Sequence, residues 1–400
     1  MNLKVVTGAI ITIASVVPVL AQSGNPINPP TNPQTTRIMS GSEQQNLDLV
    51  LKWWREVIEA HHTELVEKYL AEDFIQHNPN IPNGRAALVK ALSRVSESEP
   101  MPEKLSHPPV VEGAKGDFVW LIFENEAPDP HDLSKTYYYC DFDLLRLQNG
   151  KIQEHWDSAK RVSGSADFVA AAAPPPSSWN ASRLSATEQH NIGIVADDFK
   201  AMLQYGHIDV ADKSIGPDYI EHNPYGLHGR EAFMQSMSSL LGCSSGEMKP
   251  ECKSDPSLTL ANGPYFLRMW QINDKDPTNP IKTYTRSHFD LLRIEDGLEK
   301  EHWDGARMER KKVALDVRVL SSYLGSYSIT PQSTVVITIE DGHLMAQATR
   351  EPKLALGAES NTIFMLENAE VAIEFVTDPQ GRVTGLIVHQ GRRDIKALKQ

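Results

Sequence analysis

Six residues, Phe74-Ile75-Gln76-His77-Asn78-Pro79, return further along the chain as Tyr219-Ile220-Glu221-His222-Asn223-Pro224, an offset of 145. The echo continues in order. Gly84-Arg85 matches Gly229-Arg230, and Phe142-Asp143-Leu144-Leu145-Arg146 matches Phe289-Asp290-Leu291-Leu292-Arg293. Glu154-His155-Trp156-Asp157 then recurs unchanged as Glu301-His302-Trp303-Asp304, at an offset of 147. Four blocks in one order at nearly one spacing are the signature of a duplicated domain. A chain of 400 residues is too long for one ordinary core and must be read unit by unit.

Each repeat opens on a helix and continues in strands. In the first, Ser42 with Gln45 is the expected cap, and Leu47, Val50, Leu51, Trp54, Val57 and Ile58 form an apolar stripe of helical period. In the second, Ser185 with Glu188 caps, and Ile192, Val195, Phe199 and Met202 form the stripe. Residues 117–124, 137–147 and 151–157, with their counterparts, read as strands. Helices followed by strands predict an α+β fold, with helices on one face of a mostly antiparallel sheet and the other face left uncovered. Expected boundaries are residues 41–165 and 185–312, with an Ala/Pro/Ser-rich linker over 166–184. From 317 to 400 the text changes to short β runs separated by turn signals such as Asp341-Gly342, which predicts a small antiparallel β-barrel or sandwich.

The N-terminus reads as an export signal: Lys4, an apolar run from Val5 to Val17, and small residues ending at Ala21, the expected cleavage point. Residues 1–21 are therefore expected to be removed and 22–40 to form a linker, which places the mature protein outside the cytoplasm, secreted or periplasmic. No membrane span is expected after cleavage. The net charge of −13 supplies no basic field to attract a nucleic-acid backbone, so no nucleic-acid partner is expected. With three cysteines, an exported chain allows one internal disulfide, and Cys243 with Cys252 is the expected pair. Cys140 then reads as a buried thiol within a strand.

The chemistry concentrates at the final hairpin of each repeat. Asn149-Gly150 and Asp296-Gly297 lie between two strands, and loop length decides which side chains share a face. A three-residue loop ending on a glycine bulge pairs Asp143 with His155. It gathers Asp143, His155 and Asp157 on one face and sorts Phe142, Leu144, Ile152 and Trp156 onto the other. The same register in the second repeat gathers His288, Asp290, His302 and Asp304. A face rich in Asp and His beneath helices is a pocket in which ionisable groups shift one another's pKa, as acid–base work requires. Taken singly, each of these residues better suits a buried network that ties helix to sheet; as a constellation present twice, they point to a ligand site. The His-Asn-Pro motif reads either as a plain turn or as a device that holds His77 or Asn78, and His222 or Asn223, over the pocket mouth. The Asp and His spacing matches no known metal motif, so neither metal nor cofactor is expected. The repeats also diverge: Asp141 faces His288, and Val119-Trp120-Leu121 aligns with Leu267-Arg268-Met269, so the two pockets need not share one task.

The Ile-x-His-Asn-Pro block, the following Gly-Arg, and the Asp-x-x-Arg ending that runs through Asn-Gly-Lys-Ile to Glu-His-Trp-Asp resemble the SnoaL-like polyketide cyclase family of the nuclear transport factor 2 superfamily. The resemblance implies two cone-shaped α+β barrels in tandem, and metal-free aldol cyclisation in which an Asp removes an acidic C–H proton. On that basis Asp157 and Asp304 are the candidate bases, with His155, His302, Asp143 and Asp290 as catalytic partners and His77, Asn78, His222, Asn223 and His288 as ligand contacts. Ketosteroid isomerase, in the same superfamily, has an Asp where this chain has Asn78 and Asn223, and asparagine cannot act as the base. Members commonly dimerise through open sheet faces, which implies an intramolecular pseudo-dimer with the Trp156 and Trp303 sides in contact. Residues 323–390 resemble the lipocalin-like domain that follows some penicillin-binding-protein-like serine hydrolases, although the Ser-x-x-Lys motif of those enzymes is missing. The expected function is a lyase, isomerase or cyclase acting on an enolisable carbonyl compound; the competing expectation is a non-catalytic binding protein for a hydrophobic metabolite.

Overall fold

The computed structural model describes residues 39–93, 98–161, 179–241, 256–277, 279–340, 342–349, 353–366, 370–391 and 393–400. The expected signal segment, most of both expected linkers, and Cys243 and Cys252 lie outside the described residues. The first α+β unit runs α1 (Gly41–Trp53), β1 (Leu70–Gln76), α2 (Arg85–Leu92), β2 (Val111–Lys115), β3 (Phe118–Asp129), β4 (Asp132–Gln148) and β5 (Lys151–Asp157). The second runs α3 (Ala186–Phe199), β6 (Ile215–Glu221), α4 (Arg230–Leu241), β7 (Leu258–Asn262), β8 (Tyr265–Asp276), β9 (Asn279–Glu295) and β10 (Leu298–Asp304). Their sheets have one topology, β1-β5-β4-β3-β2 and β6-β10-β9-β8-β7.

Helix α1 is capped by Ser40 with Glu43, two residues earlier than Ser42 with Gln45. The buried Glu43 both returns to the Ser40 N–H and accepts from Gly116 N, whereas Gln45 is exposed. Helix α3 has the expected box, Ser185 with Glu188, and Glu188 also takes the buried ammonium of Lys115 from the first unit at 3.0 Å. The stripe of α1 is buried except for Leu51, which is half-buried, and Trp53 joins it. The Phe74-Ile75-Gln76 block is a strand, β1, and it pairs in parallel with β5. Its run of Ala71, Glu72 and Asp73 hides the alternation by which a strand is recognised.

The final hairpin departs from the expected loop. Gln148 pairs with Lys151 across a two-residue turn in which Asn149 (φ 52°) and Gly150 (φ 70°) are both left-handed, the geometry that suits strand twist. A bulge follows: Arg146 pairs with Glu154 and Leu147 with Ile152, which leaves Gln153 as the extra residue. The bulge reverses the parity that the short turn would impose. Asp143, His155 and Asp157 therefore do share a face, but Asp143 stands opposite Asp157, and Ile152 lies on the helix-covered face with Leu145 and Leu147. The second unit repeats the device, with Asp296 and Gly297 in the turn and Lys300 at the bulge.

The faces turned away from the helices meet in one apolar cluster. Phe118, Trp120, Ile122, Phe142, Leu144 and Trp156 pack with Leu260, Leu267, Met269, Phe289, Leu291 and Trp303, and the Phe142 and Phe289 rings stack at 5.5 Å. Cys140 lies in this cluster, where burial pushes its thiol pKa well up and leaves it unreactive. After a short helix, α5 (Val317–Ser321), eight strands from β11 (Gly325–Thr330) to β18 (Arg393–Lys399) close an antiparallel barrel. Its interior is a packed core in which Tyr323, Tyr327, Phe364 and Phe375 contact one another. No helix among the described residues is long and apolar enough to cross a membrane.

Candidate active site

The bulged strands β5 and β10 place an imidazole between acceptors. In the first unit, His155 Nδ1–H donates to Gln76 Oε1 (3.0 Å) and Nε2–H to Asp143 Oδ1 (2.8 Å). The Gln76 oxygen also accepts from the Asn78 N–H (3.0 Å), which fixes the amide's orientation. With both ring nitrogens facing acceptors, the imidazolium is favoured. Burial opposes that charge, but the Asp143 hydrogen bond and carboxylate outweigh it and raise the His155 pKa. Burial pushes Asp143 up to about 6 despite its bond to His155, so the pair holds a proton between them. Asp157 is raised by burial, against the pull of His155 and of the Asn78 amide, which donates to Oδ2 at 2.6 Å.

The second unit keeps this frame and changes its charge. Glu221 stands in place of Gln76, and both of its oxygens take His302 Nδ1, at 2.9 and 3.1 Å. Burial opposes the His302 charge, yet Glu221 and Asp290 together raise its pKa well above the ordinary histidine value. Asp290, 3.6 Å from His302 Nε2, also receives Arg268 Nη2 at 3.1 Å and lies 3.4 Å from His288 Nε2. Burial alone would raise Asp290; hydrogen bonds from His288 and His302 and the charge of Arg268 hold it well below the usual carboxylate range. Asp304 is raised by burial, with Asn223 on Oδ2 (2.7 Å) and Ala306 N on Oδ1 (2.9 Å). Two aspartates on one face are thus driven apart, Asp290 held low and Asp304 raised, which makes the Asp304 carboxylate the stronger base of the two. Gly226 passes so close that a Cβ there would lie 1.9 Å from Glu221 Cγ.

The histidines of the His-Asn-Pro motif are not at the mouth. His77 stacks on Trp156 at 4.5 Å and bonds Glu154, while His222 stacks on Trp303 at 4.5 Å and lies 3.4 Å from Glu301. Both rings lie on the tryptophan side of the sheet because the chain turns over the strand edge directly after β1 and β6. Asn78 and Asn223 turn the other way and each grips the strand-end aspartate. Of the expected ligand contacts, His288 lines the covered face where it opens, partly exposed and 5.8 Å from the Trp270 ring. Asp141, its counterpart, is closed over by Arg307 (2.6 Å) and Asn125 (2.8 Å).

Register also corrects the alignment of Arg268: it faces Asp290 as Leu121 faces Asp143, so its counterpart is Leu121 and not Trp120. Carried through, the correspondence shows a changed interior. Trp53, Tyr69, Leu121 and Ile152 of the first unit become Asp198, Ser214, Arg268 and Glu299 in the second, all buried. Burial pushes Glu299 up to about 7, with the charge of Asp198 adding to the effect. The first unit keeps a narrow cavity, with room for about one water, among Trp53, Trp54, Phe74, Leu88, Gln76 and His155. Asp198, Glu221, Arg268 and Glu299 are the site candidates that reading each stripe for period alone had missed. Aligning the stripes residue against residue shows them.

In each unit the three groups Asp143, His155, Asp157 and Asp290, His302, Asp304 offer donor atoms within 4.8 Å of one another, close enough to surround a cation. The donor set fits poorly. Each imidazole has both ring nitrogens turned to acceptors, so a metal could take a lone pair only by breaking one of those contacts.

Residues 309–399 match a family model described as a domain of unknown function, DUF3471. No curated protein matches the chain. Similar solved structures include TsrD from Streptomyces laurentii, 18% identical with a TM-score of 0.22, the match covering 30% of this chain and 90% of that one. A SnoaL-like polyketide cyclase, so titled, from Jannaschia sp. CCS1 is 17% identical with a TM-score of 0.22, over 30% of this chain and 88% of its own. An LEH-like epoxide hydrolase from M. tuberculosis is 16% identical with a TM-score of 0.22, over 29% and 81%.

Proposed function

We propose that the second unit is a small-molecule enzyme using acid–base chemistry on an enolisable carbonyl compound, with Asp304 as the base, and that the first unit and the barrel support it. The observation that carries this reading is the exchange of core residues for buried charges. At the positions of Trp53, Leu121 and Ile152, which build a core in the first unit, the second buries Asp198, Arg268 and Glu299. Buried charges rarely repay their desolvation in stability, so a folding role does not account for them, and clusters of shifted groups mark reaction sites.

In the proposed step, an Asp304 oxygen removes the proton alpha to the substrate carbonyl; the C–H electron pair moves into the C–C bond and the carbonyl oxygen becomes an enolate. The Asn223 amide holds the carboxylate in place through Oδ2. Arg268 and His302 supply the positive charge that stabilises the enolate, which is then reprotonated or attacks a second carbonyl. The two units form the internal pseudo-dimer, as cone-shaped barrels back to back; their common apolar cluster supports this. The barrel, lipocalin-like in its closed antiparallel form, serves as an accessory domain, in keeping with its packed interior. Export through the N-terminal segment is part of the proposal.

A second reading, a binding protein for a hydrophobic metabolite, draws on the cavity of the first unit and its mostly apolar wall. Deuterium exchange at the alpha carbon of a panel of ketones and β-dicarbonyl compounds decides between them. Exchange that Asp304→Asn abolishes establishes the base; binding without exchange by any compound supports the metabolite carrier.

A further inference from the structure

Behind the His302 and Asp290 pair, the covered face of the second unit holds more carboxyl groups than cations among the described residues. Asp198, Glu221, Asp290, Glu299 and Asp304 are all buried there, and among the described residues the cations that meet them are Arg268 and His302, with the His288 ring at the opening. Arg268 bonds Asp290 and His302 bonds Glu221, and both also act on Glu299 through space, but neither donates to the free oxygen of Asp198. At the deep end, Asp198 takes the place that Trp53 holds in the cavity wall of the first unit. It is 5% exposed, Ser214 lies against it, and its Oδ2 has no hydrogen-bond partner among the described residues. Glu299, 5% exposed, lies on β10 directly before its bulge and is close enough for the Asp198 charge to act on it. A buried oxygen without a donor leaves free energy to be gained by any ligand that brings one, and two carboxyl groups favour a donor that also carries positive charge.

We propose that the second unit takes a small molecule bearing a protonated amine, and that Asp198 and Glu299 seat this ammonium at the deep end of the covered face. This rests on the reading of that face as the active site and names the class of its substrate: an amine-bearing carbonyl compound, with the amine held away from the carbon at which Asp304 acts. Exchanging Trp53 and Tyr69 for Asp198 and Ser214 removes the two bulky rings that fill the same region of the first unit, so the subsite belongs to the second unit alone.

Isothermal titration of the full chain with benzylamine, butylamine and benzyl alcohol tests it. The amines are expected to bind at least tenfold more tightly than the alcohol, and the isosteric changes Asp198→Asn and Glu299→Gln are each expected to weaken amine binding tenfold or more while leaving the alcohol unaffected. Equal binding of amine and alcohol, no binding of either amine, or amine binding unchanged in both variants would overturn the proposal. The readout needs no turnover. Loss of exchange in Asp304→Asn without amine preference removes the subsite and keeps the base, whereas amine preference without exchange removes the base and keeps the subsite.

Discussion

The two α+β units are alike in frame and opposite in interior. Both have a Ser–Glu capping box, a left-handed two-residue turn, a bulge one residue after the first hairpin pairs, and an asparagine gripping the last aspartate. On the tryptophan side both are apolar, because each face is the other's partner and a change in one must be matched across the cluster. On the covered side no such constraint links them. The first has filled with Trp53, Trp54 and Leu121; the second has taken up Asp198, Arg268 and Glu299. A duplicated fold can thus hold its joining surface fixed while one pocket becomes core and the other gathers charge.

The largest test of that contrast is to exchange residues between the units. Ile152→Glu places an unpartnered carboxylate in the first unit's core and is expected to cost ~3 kcal/mol or more in urea unfolding. Glu299→Ile in the second, where Arg268 retains Asp290, is expected to be neutral or to stabilise by up to ~4 kcal/mol. If both changes cost the same, the interiors are not different in kind.

Titration sharpens the contrast at a somewhat smaller scale. A carboxyl whose folded pKa is raised binds its proton more tightly in the folded state, so its contribution to stability declines as pH rises from the unfolded to the folded value. For Asp143 that interval is 3.8 to about 6, and for Glu299 it is 4.5 to about 7. Asp143→Asn should therefore remove a downward slope of stability below pH 6, and Glu299→Gln one that extends to pH 7, each worth ~3 kcal/mol across its window. Thermal unfolding at several pH values separates them. The smallest effect should be common to both units: Ser40→Ala and Ser185→Ala each remove one cap, at about 1 kcal/mol. Unequal costs would show that the frames themselves differ, and the bond of Glu188 to Lys115 would be the first place to look.

Much of this was legible in the sequence. The repeat blocks mark the two units, and the Asp-Gly and Asn-Gly turns fix the last hairpin, with the expected aspartates and histidine on one face. The bulge at Gln153 was not legible, since nothing in Lys-Ile-Gln-Glu-His marks an extra residue; a longer loop gave the same face for His155 and the wrong one for Ile152. Strand β1 was hidden because its pairing with β5 is made between residues more than 70 positions apart, by backbone rather than by an alternating pattern. The placement of His77 and His222 depends on which way the chain leaves the sheet edge, which short motifs do not specify. The charges at Asp198 and Glu299 were visible throughout, but they gain meaning only beside Trp53 and Ile152.

The most direct test of the central claim is α-carbon deuterium exchange in two single variants side by side, Asp304→Asn and Asp157→Asn, on whichever carbonyl compound the wild-type chain turns over. The account predicts that the first loses exchange about a hundredfold or more and that the second stays within about threefold of wild type. Equal losses in the two variants, or a loss confined to Asp157→Asn, would contradict it.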